Sequence, residues 1–196
     1  DTAPQTSSRR RTSRPLRVVW ITPLRALAAD TTRALEETAA SLGLPWTVAQ
    51  RTGDASARDK RLARGGKLDV LVTTPESLSL LLSYPDSAPM SADLRCVVVD
   101  EWHELMGSKR GVQTQLALAR LRHWSPRVRT WGLSATLGNL DEACRALLPP
   151  GTLPQMLSAG RPRPMTLDTL LPHDVVGFPW SGHLGLSQLG GVVDRL

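Results

Sequence analysis

The run Arg95-Cys96-Val97-Val98-Val99 restricts what this chain can fold into more than any other segment. Its apolar part shows no alternation, so a strand built from it must be covered on both faces. That requirement belongs to parallel sheets with helices above and below them. The rest of the chain repeats the unit. Hydrophobic patterning predicts strands over 16–22, 46–50, 69–73, 95–99 and 128–133. Between and after them it predicts helices over 24–42, 56–64, 75–82, 111–124 and 139–148. Gly43 stops the first helix and Gly65-Gly66 closes the second. Pro75 suits the first helical position of the third, and Asn139 the N-cap of the last. Strands alternating with helices of this length indicate an α/β fold with a doubly wound parallel sheet.

Flanking segments differ in composition. Residues 1–16 are rich in Thr, Ser, Arg and Pro and are expected to form a flexible basic segment. The formal charge of the 196 residues is +6, but five arginines and one aspartate within residues 1–17 account for +4 of it. The body is therefore nearly neutral, and charge alone does not identify a nucleic-acid-binding face. Residues 161–182 hold Pro162, Pro164, Pro172 and Pro179 and read as a linker, after which 183–196 resemble the start of another unit. Cys96 and Cys144 are too few for a disulfide framework and fit a reducing, cytoplasmic setting. Arg9-Arg10-Arg11 superficially suggests an export signal, but Pro23 and Arg25 interrupt the apolar region such a signal needs. No apolar run has the length of a membrane span, so no membrane partner is expected.

In doubly wound sheets ligands bind beyond the carboxyl ends of the strands, so the residues after each run bear on function. The fourth run ends in Asp100-Glu101-Trp102-His103. An Asp in that place can hold Mg²⁺ through water, and the neighbouring carboxylate can orient or deprotonate a water attacking a γ-phosphate. The plainer reading makes Asp100 a helix cap and Glu101 a first-turn acid. The fifth run leads into Ser134-Ala135-Thr136, hydroxyls able to bond His103 and the carboxylates. His123, His173 and His183 are too scattered for metal-ligand spacing. Most of the six tryptophans fall within predicted elements as core, leaving Trp102 and Trp180 as candidate base-stacking residues.

These motifs have a family resemblance. With Thr22-Pro23-Leu24-Arg25, Arg51-Thr52-Gly53-Asp54 and Thr73-Thr74-Pro75-Glu76-Ser77 before them, Asp100-Glu101-Trp102-His103 and Ser134-Ala135-Thr136 resemble the first RecA-like motor domain of superfamily 2 DExH helicases. The likeness is greatest to the large helicase-related (Lhr-type) branch and its bacterial ligase-associated DNA-damage-response members. It covers about residues 16–160. It implies an ATP- and Mg²⁺-dependent DNA helicase acting in repair, nucleoid-associated, with single-stranded or partly duplex DNA and a ligase or nuclease as partners. Asp100 and Glu101 would be the Mg²⁺-binding and water-activating carboxylates. His103 would couple them to Ser134 and Thr136, while Thr22, Pro23, Arg25, Gly53, Asp54, Thr74 and Pro75 would contact the nucleic-acid strand.

One motif is missing. A Gly-x-x-x-x-Gly-Lys-Ser/Thr loop, whose amides cradle phosphates, does not occur, and neither Lys60, Lys67 nor Lys109 is followed by a hydroxyl residue. In the family that loop precedes the Thr-Pro-Leu-Arg motif. The chain is thus expected to be a fragment of a motor, whose truncated sheet would be poorly soluble. The alternative is a non-catalytic remnant that binds single-stranded nucleic acid.

Overall fold

The computed structural model describes residues 16–53, 68–135 and 138–158, together with Gly190 and Val193. Two compact units divide the chain, Asp1–Pro154 and Gln155–Leu196. In the second unit Gly190 and Val193 are helical. The predicted helix over 56–64, the linker over 161–182 and most of 183–196 lie outside the described residues.

The first unit is a parallel five-stranded sheet: β1 (Val18–Ile21), β2 (Val48–Arg51), β3 (Val70–Thr73), β4 (Cys96–Val99) and β5 (Arg129–Gly132), in spatial order β2-β3-β1-β4-β5. All four pairings are parallel and nearly in step, with Ile21 opposite both Thr73 and Val99, and Val99 opposite Gly132. The five carboxyl ends consequently finish in one row. The described helices are α1 (Arg25–Ser41), α2 (Pro75–Leu82), α3 (Ser87–Ser91), α4 (Trp102–Leu105), α5 (Lys109–Trp124) and α6 (Leu140–Leu147).

Alternate residues of each strand serve opposite faces. Val18, Trp20, Val48, Val70 and Val72 pack with Ala28 and Leu35 of α1. Val19, Ile21, Leu71, Val97 and Val99 enter the larger core with Leu78, Leu81 and Leu82 of α2, Leu118 and Leu121 of α5, and Ala143 and Leu147 of α6. Helices on both faces explain why β4 reads as an uninterrupted valine run. At the amino ends of the strands, buried Asp69 accepts from Thr47 N–H at 2.9 Å and pairs with Arg17 at 3.3 Å, anchoring β1, β2 and β3 together.

Several expectations are corrected. β2 begins at Val48 rather than Trp46, because Thr47 turns its amide to the Asp69 carboxylate before the ladder starts. Leu24 and Leu42 lie outside the helix they were expected to line, as the extended N-cap and the C-cap of α1, and both are exposed. Trp102 is 2% exposed and donates to the Ala143 carbonyl at 3.1 Å, so it is a core residue and not a stacking platform. Trp131, expected in the core, is 60% exposed and joins neither core cluster. Leu16, at the border of the basic segment, is buried in the core. Trp180 lies outside the described residues.

Candidate functional site

Because the strands are in step, every motif at a strand end lies along one edge of the sheet. The strand order splits that edge in two. The ends of β4 and β5 carry the carboxylates, His103 and Ser134, while the ends of β2, β3 and β1 carry the hydroxyl, glycine and arginine motifs.

On the first half, Asp100 extends β4 with its amide on the Ile21 carbonyl at 2.8 Å. One carboxylate oxygen accepts from the Glu101 amide at 3.0 Å and the other from the indole N–H of Trp20 at 3.3 Å. The chain then turns sharply. Glu101 has φ 46° and ψ 48°, the one non-glycine residue with positive φ among the described residues. Such a conformation is disfavoured by the Cβ and persists where the surroundings impose it, commonly at functional sites. Here they do so through Trp102, whose amide donates to the Leu133 carbonyl at 2.9 Å while its ring is locked in the core.

The turn brings His103 back over β5. Its Nδ1 lies 3.0 Å from Ser134 Oγ and 3.4 Å from Glu101 Oε2, and its Nε2 lies 3.4 Å from Glu104 Oε1. One imidazole nitrogen is thus shared between a hydroxyl on β5's exit and the carboxylate of Glu101. Asp100, Glu101, His103 and Ser134 form one cluster; Thr136 lies outside the described residues.

A magnesium ion fits the Asp100 carboxylate by donor chemistry. Mg²⁺ is commonly held by one or two carboxylates, with water and substrate phosphates completing the shell. Each Asp100 oxygen retains a lone pair beyond its hydrogen bond. No group of three or more His, Cys, Asp or Glu among the described residues is arranged to hold a metal unaided.

On the second half, the Thr22 amide donates to the Thr73 carbonyl at 2.9 Å, and Thr73 Oγ1 donates to the Arg51 carbonyl at 2.7 Å, so the exits of β1, β3 and β2 are tied in series. Thr74 caps α2, accepting from the Ser77 amide at 3.5 Å, with Pro75 at the first helical position. The Arg25 guanidinium lies against Gly53, where a Cβ would stand 3.2 Å from Arg25 Cζ and Nη2. Arg25 and Gly53 are exposed on this edge, while Thr22, Pro23, Thr74 and Pro75 are buried beneath it; Asp54 lies outside the described residues. Among the described residues, Thr22 Oγ1 and Arg51 Nη1 are buried without a hydrogen-bond partner.

Sequence reasoning assigned no role to three residues that the structure brings into these halves. Trp20 reads as core, yet its N–H reaches Asp100. Arg110 bonds Glu76 at 2.6 Å through Nε and also donates to the Pro23 carbonyl. These pairs are separated by 34 and 87 residues, so no local pattern announces them. Burial would raise the Glu76 carboxyl, but hydrogen bonds led by that from Arg110, with the charge of Arg110, outweigh it and hold the group below its ordinary value of 4.5.

The family model described as DEAD/DEAH box helicase matches residues 4–143. The ATP-dependent helicase Lhr-Core of Methanothermobacter thermautotrophicus is 36% identical over 139 residues, 66% of this chain and 16% of that protein. A Mycolicibacterium smegmatis protein named Lhr helicase/probable uracil glycosylase is 36% identical over 150 residues, 70% of this chain and 10% of its own length. The chain thus spans under a fifth of either relative. The solved structure of Mycobacterium smegmatis helicase Lhr bound to ssDNA and AMP-PNP superposes with a TM-score of 0.60 at 35% identity, over 69% of this chain and 19% of that one. The DEAD-box helicase Mss116, at 17% identity and a TM-score of 0.61 over 69% of this chain and 28% of that one, shares the RecA-like fold. A match over most of its length places this chain in the DEAD/DEAH box helicase family.

Proposed function

We propose that residues 17–160 form the first motor domain of an ATP-driven translocase on single-stranded DNA. The observation that carries this reading is the division of one sheet edge into a carboxylate half and a hydroxyl-rich half, joined through adjacent strands. ATP would lie over the exits of β4 and β5. Asp100 would hold Mg²⁺ there through water, and the ion when bound neutralises charge on the phosphates. Glu101 orients the attacking water and takes its proton as the water oxygen bonds the γ-phosphorus and the bond to the bridging oxygen of ADP breaks. His103, within reach of both Glu101 and Ser134, exchanges its hydrogen bond between them as the carboxylate changes protonation.

The strand would run over the exits of β2, β3 and β1. The positive end of α2 and the charge of exposed Arg25 would face the phosphates, which gives position without base readout. The mycobacterial Lhr structure, bound to ssDNA and AMP-PNP, supports a nucleotide and a single strand as the ligands. On this reading a phosphate loop upstream completes the nucleotide site, 161–182 link to a second motor domain starting near 183, and the whole protein works on the nucleoid with a ligase or nuclease in repair.

The test measures single-stranded DNA binding and DNA-stimulated ATP hydrolysis for this chain and for a longer form carrying a Gly-Lys-Thr loop and the second motor domain. Hydrolysis in the long form alone, abolished by Glu101→Gln, supports the motor. Tight binding with no turnover in either form supports a binding remnant instead, and turnover by the short chain contradicts the assignment of the nucleotide site.

A further inference from the structure

Arg110 stands where the two halves meet. It is the second residue of α5, and its side chain is partly buried, with 34% exposed. Nε donates to Glu76 Oε1 at 2.6 Å, Nη2 lies 3.4 Å from Glu76 Oε2, and Nη2 also donates to the Pro23 carbonyl. Pro23 sits in the exit of β1 and Glu76 directly after the Thr74-Pro75 cap of α2. One guanidinium therefore grips two of the three loops at the proposed strand-binding edge.

Its own backbone belongs to the other half. Ser108 Oγ donates to the Leu105 carbonyl at 2.7 Å and accepts from the Gly111 amide at 3.3 Å, seating α5 on the end of α4. Gly111 permits the contact, since a Cβ there would stand 2.3 Å from the Leu105 oxygen. α4 in turn starts directly after Glu101. From Glu101 to Arg110 the chain runs through the single turn of α4 and the Ser108 cap of α5.

The charge of Arg110 is already matched by Glu76, so it is a poor candidate for a phosphate ligand. We infer that Arg110 is a positioning residue, which holds Glu76 and the Pro23 carbonyl so that the exits of β1 and β3 present one surface to a nucleic-acid strand and shift together with α4 and α5. This rests on the reading of that surface given above.

Glu76→Gln separates the possibilities by sign. If carboxylate charge near the strand is all that matters, removing it strengthens binding to a polyanion. If Glu76 anchors Arg110, the same change weakens binding. The measurement is fluorescence anisotropy of a labelled oligothymidine titrated with the full chain across a salt series. Glu76→Gln and Arg110→Lys are expected to weaken binding roughly 3- to 30-fold, the range of coupling changes for residues that touch neither ligand. Arg110→Ala is expected to leave the salt slope unchanged, and adding Glu76→Gln to it to cause no further loss. A fall in slope of about 0.7 in Arg110→Ala marks a direct phosphate contact and overturns the inference. So does unchanged or tighter binding by Glu76→Gln. Failure of the unsubstituted chain to bind overturns the strand-binding reading itself, and the inference with it.

Discussion

At Glu101 a sharp backbone turn and a carboxylate beside His103 fall within one residue. Its left-handed backbone aims the carboxylate beside His103 while sending the chain into α4, at an expense of about 1–2 kcal/mol for any residue with a Cβ. Glycine relieves that strain but loses about 0.5–1 kcal/mol through its freer unfolded chain. Glu101→Gly is therefore expected to raise unfolding free energy by roughly 0.5–1 kcal/mol, and Glu101→Val to lower it, as measured by urea denaturation. A loss of stability in Glu101→Gly would mean that the carboxylate's contacts outweigh the strain. Glu76 gives a pH signature at the same scale. Its folded carboxyl titrates below 4.5, so its contribution is complete above that value and disappears as pH falls through the lower, folded value. Stability between pH 5 and roughly pH 3 should decline less steeply in Glu76→Gln than in the unsubstituted chain. Equal slopes would show that the Arg110 pair does not persist in solution.

Elements differ in how far the chain announces them. β4 and β3 are visible as apolar runs because both faces are covered, and α2 because Thr74 and Pro75 mark its start. α3 is hidden, since five residues are too few to show a helical period, and α4 starts one residue later than the reading that made Asp100 a cap, with Glu101 at its N-cap. The carboxylate cluster was legible because strand ends are where such sheets bind ligands, but the Arg110 clamp depends on how α5 lies across α2, which no periodicity encodes. Glycine contacts test that packing. An alanine inside a helix ordinarily gains about 1 kcal/mol over glycine. At 111, however, the new Cβ meets the Leu105 carbonyl at 2.3 Å, backbone that can yield only by moving α4 against α5. Gly111→Ala should destabilise by about 1–3 kcal/mol. At 132 the nearest atom is Leu147 Cδ2 at 2.6 Å, the end of a side chain that can rotate, so Gly132→Ala should cost less. Thermal unfolding of the two variants checks the order, and the reverse order would mean that α4 and α5 are loosely seated.

Over the whole unit the sheet is asymmetric. β2, at one edge, is largely buried, whereas β5, at the other, pairs with β4 alone among the described residues and is mostly exposed along its length. Trp131, Leu133 and Leu140 lie open beside it. A parallel strand is ordinarily covered, and an open edge with apolar neighbours is a template for another chain. The proposed motor explains the asymmetry, because a further strand beside β5 would both close that edge and bring a phosphate loop next to Ser134. The chain by itself should accordingly self-associate at micromolar concentrations. Trp131→Lys, which places a charge on the open edge, should shift it toward monomer in sedimentation velocity. In a longer form whose extra strand pairs with β5, the same lysine would be forced against a neighbour and should destabilise instead, by about 1–3 kcal/mol. A monomer at every concentration for this chain, unchanged by Trp131→Lys, would mean that β5 is a finished edge and that no strand is wanting beside it.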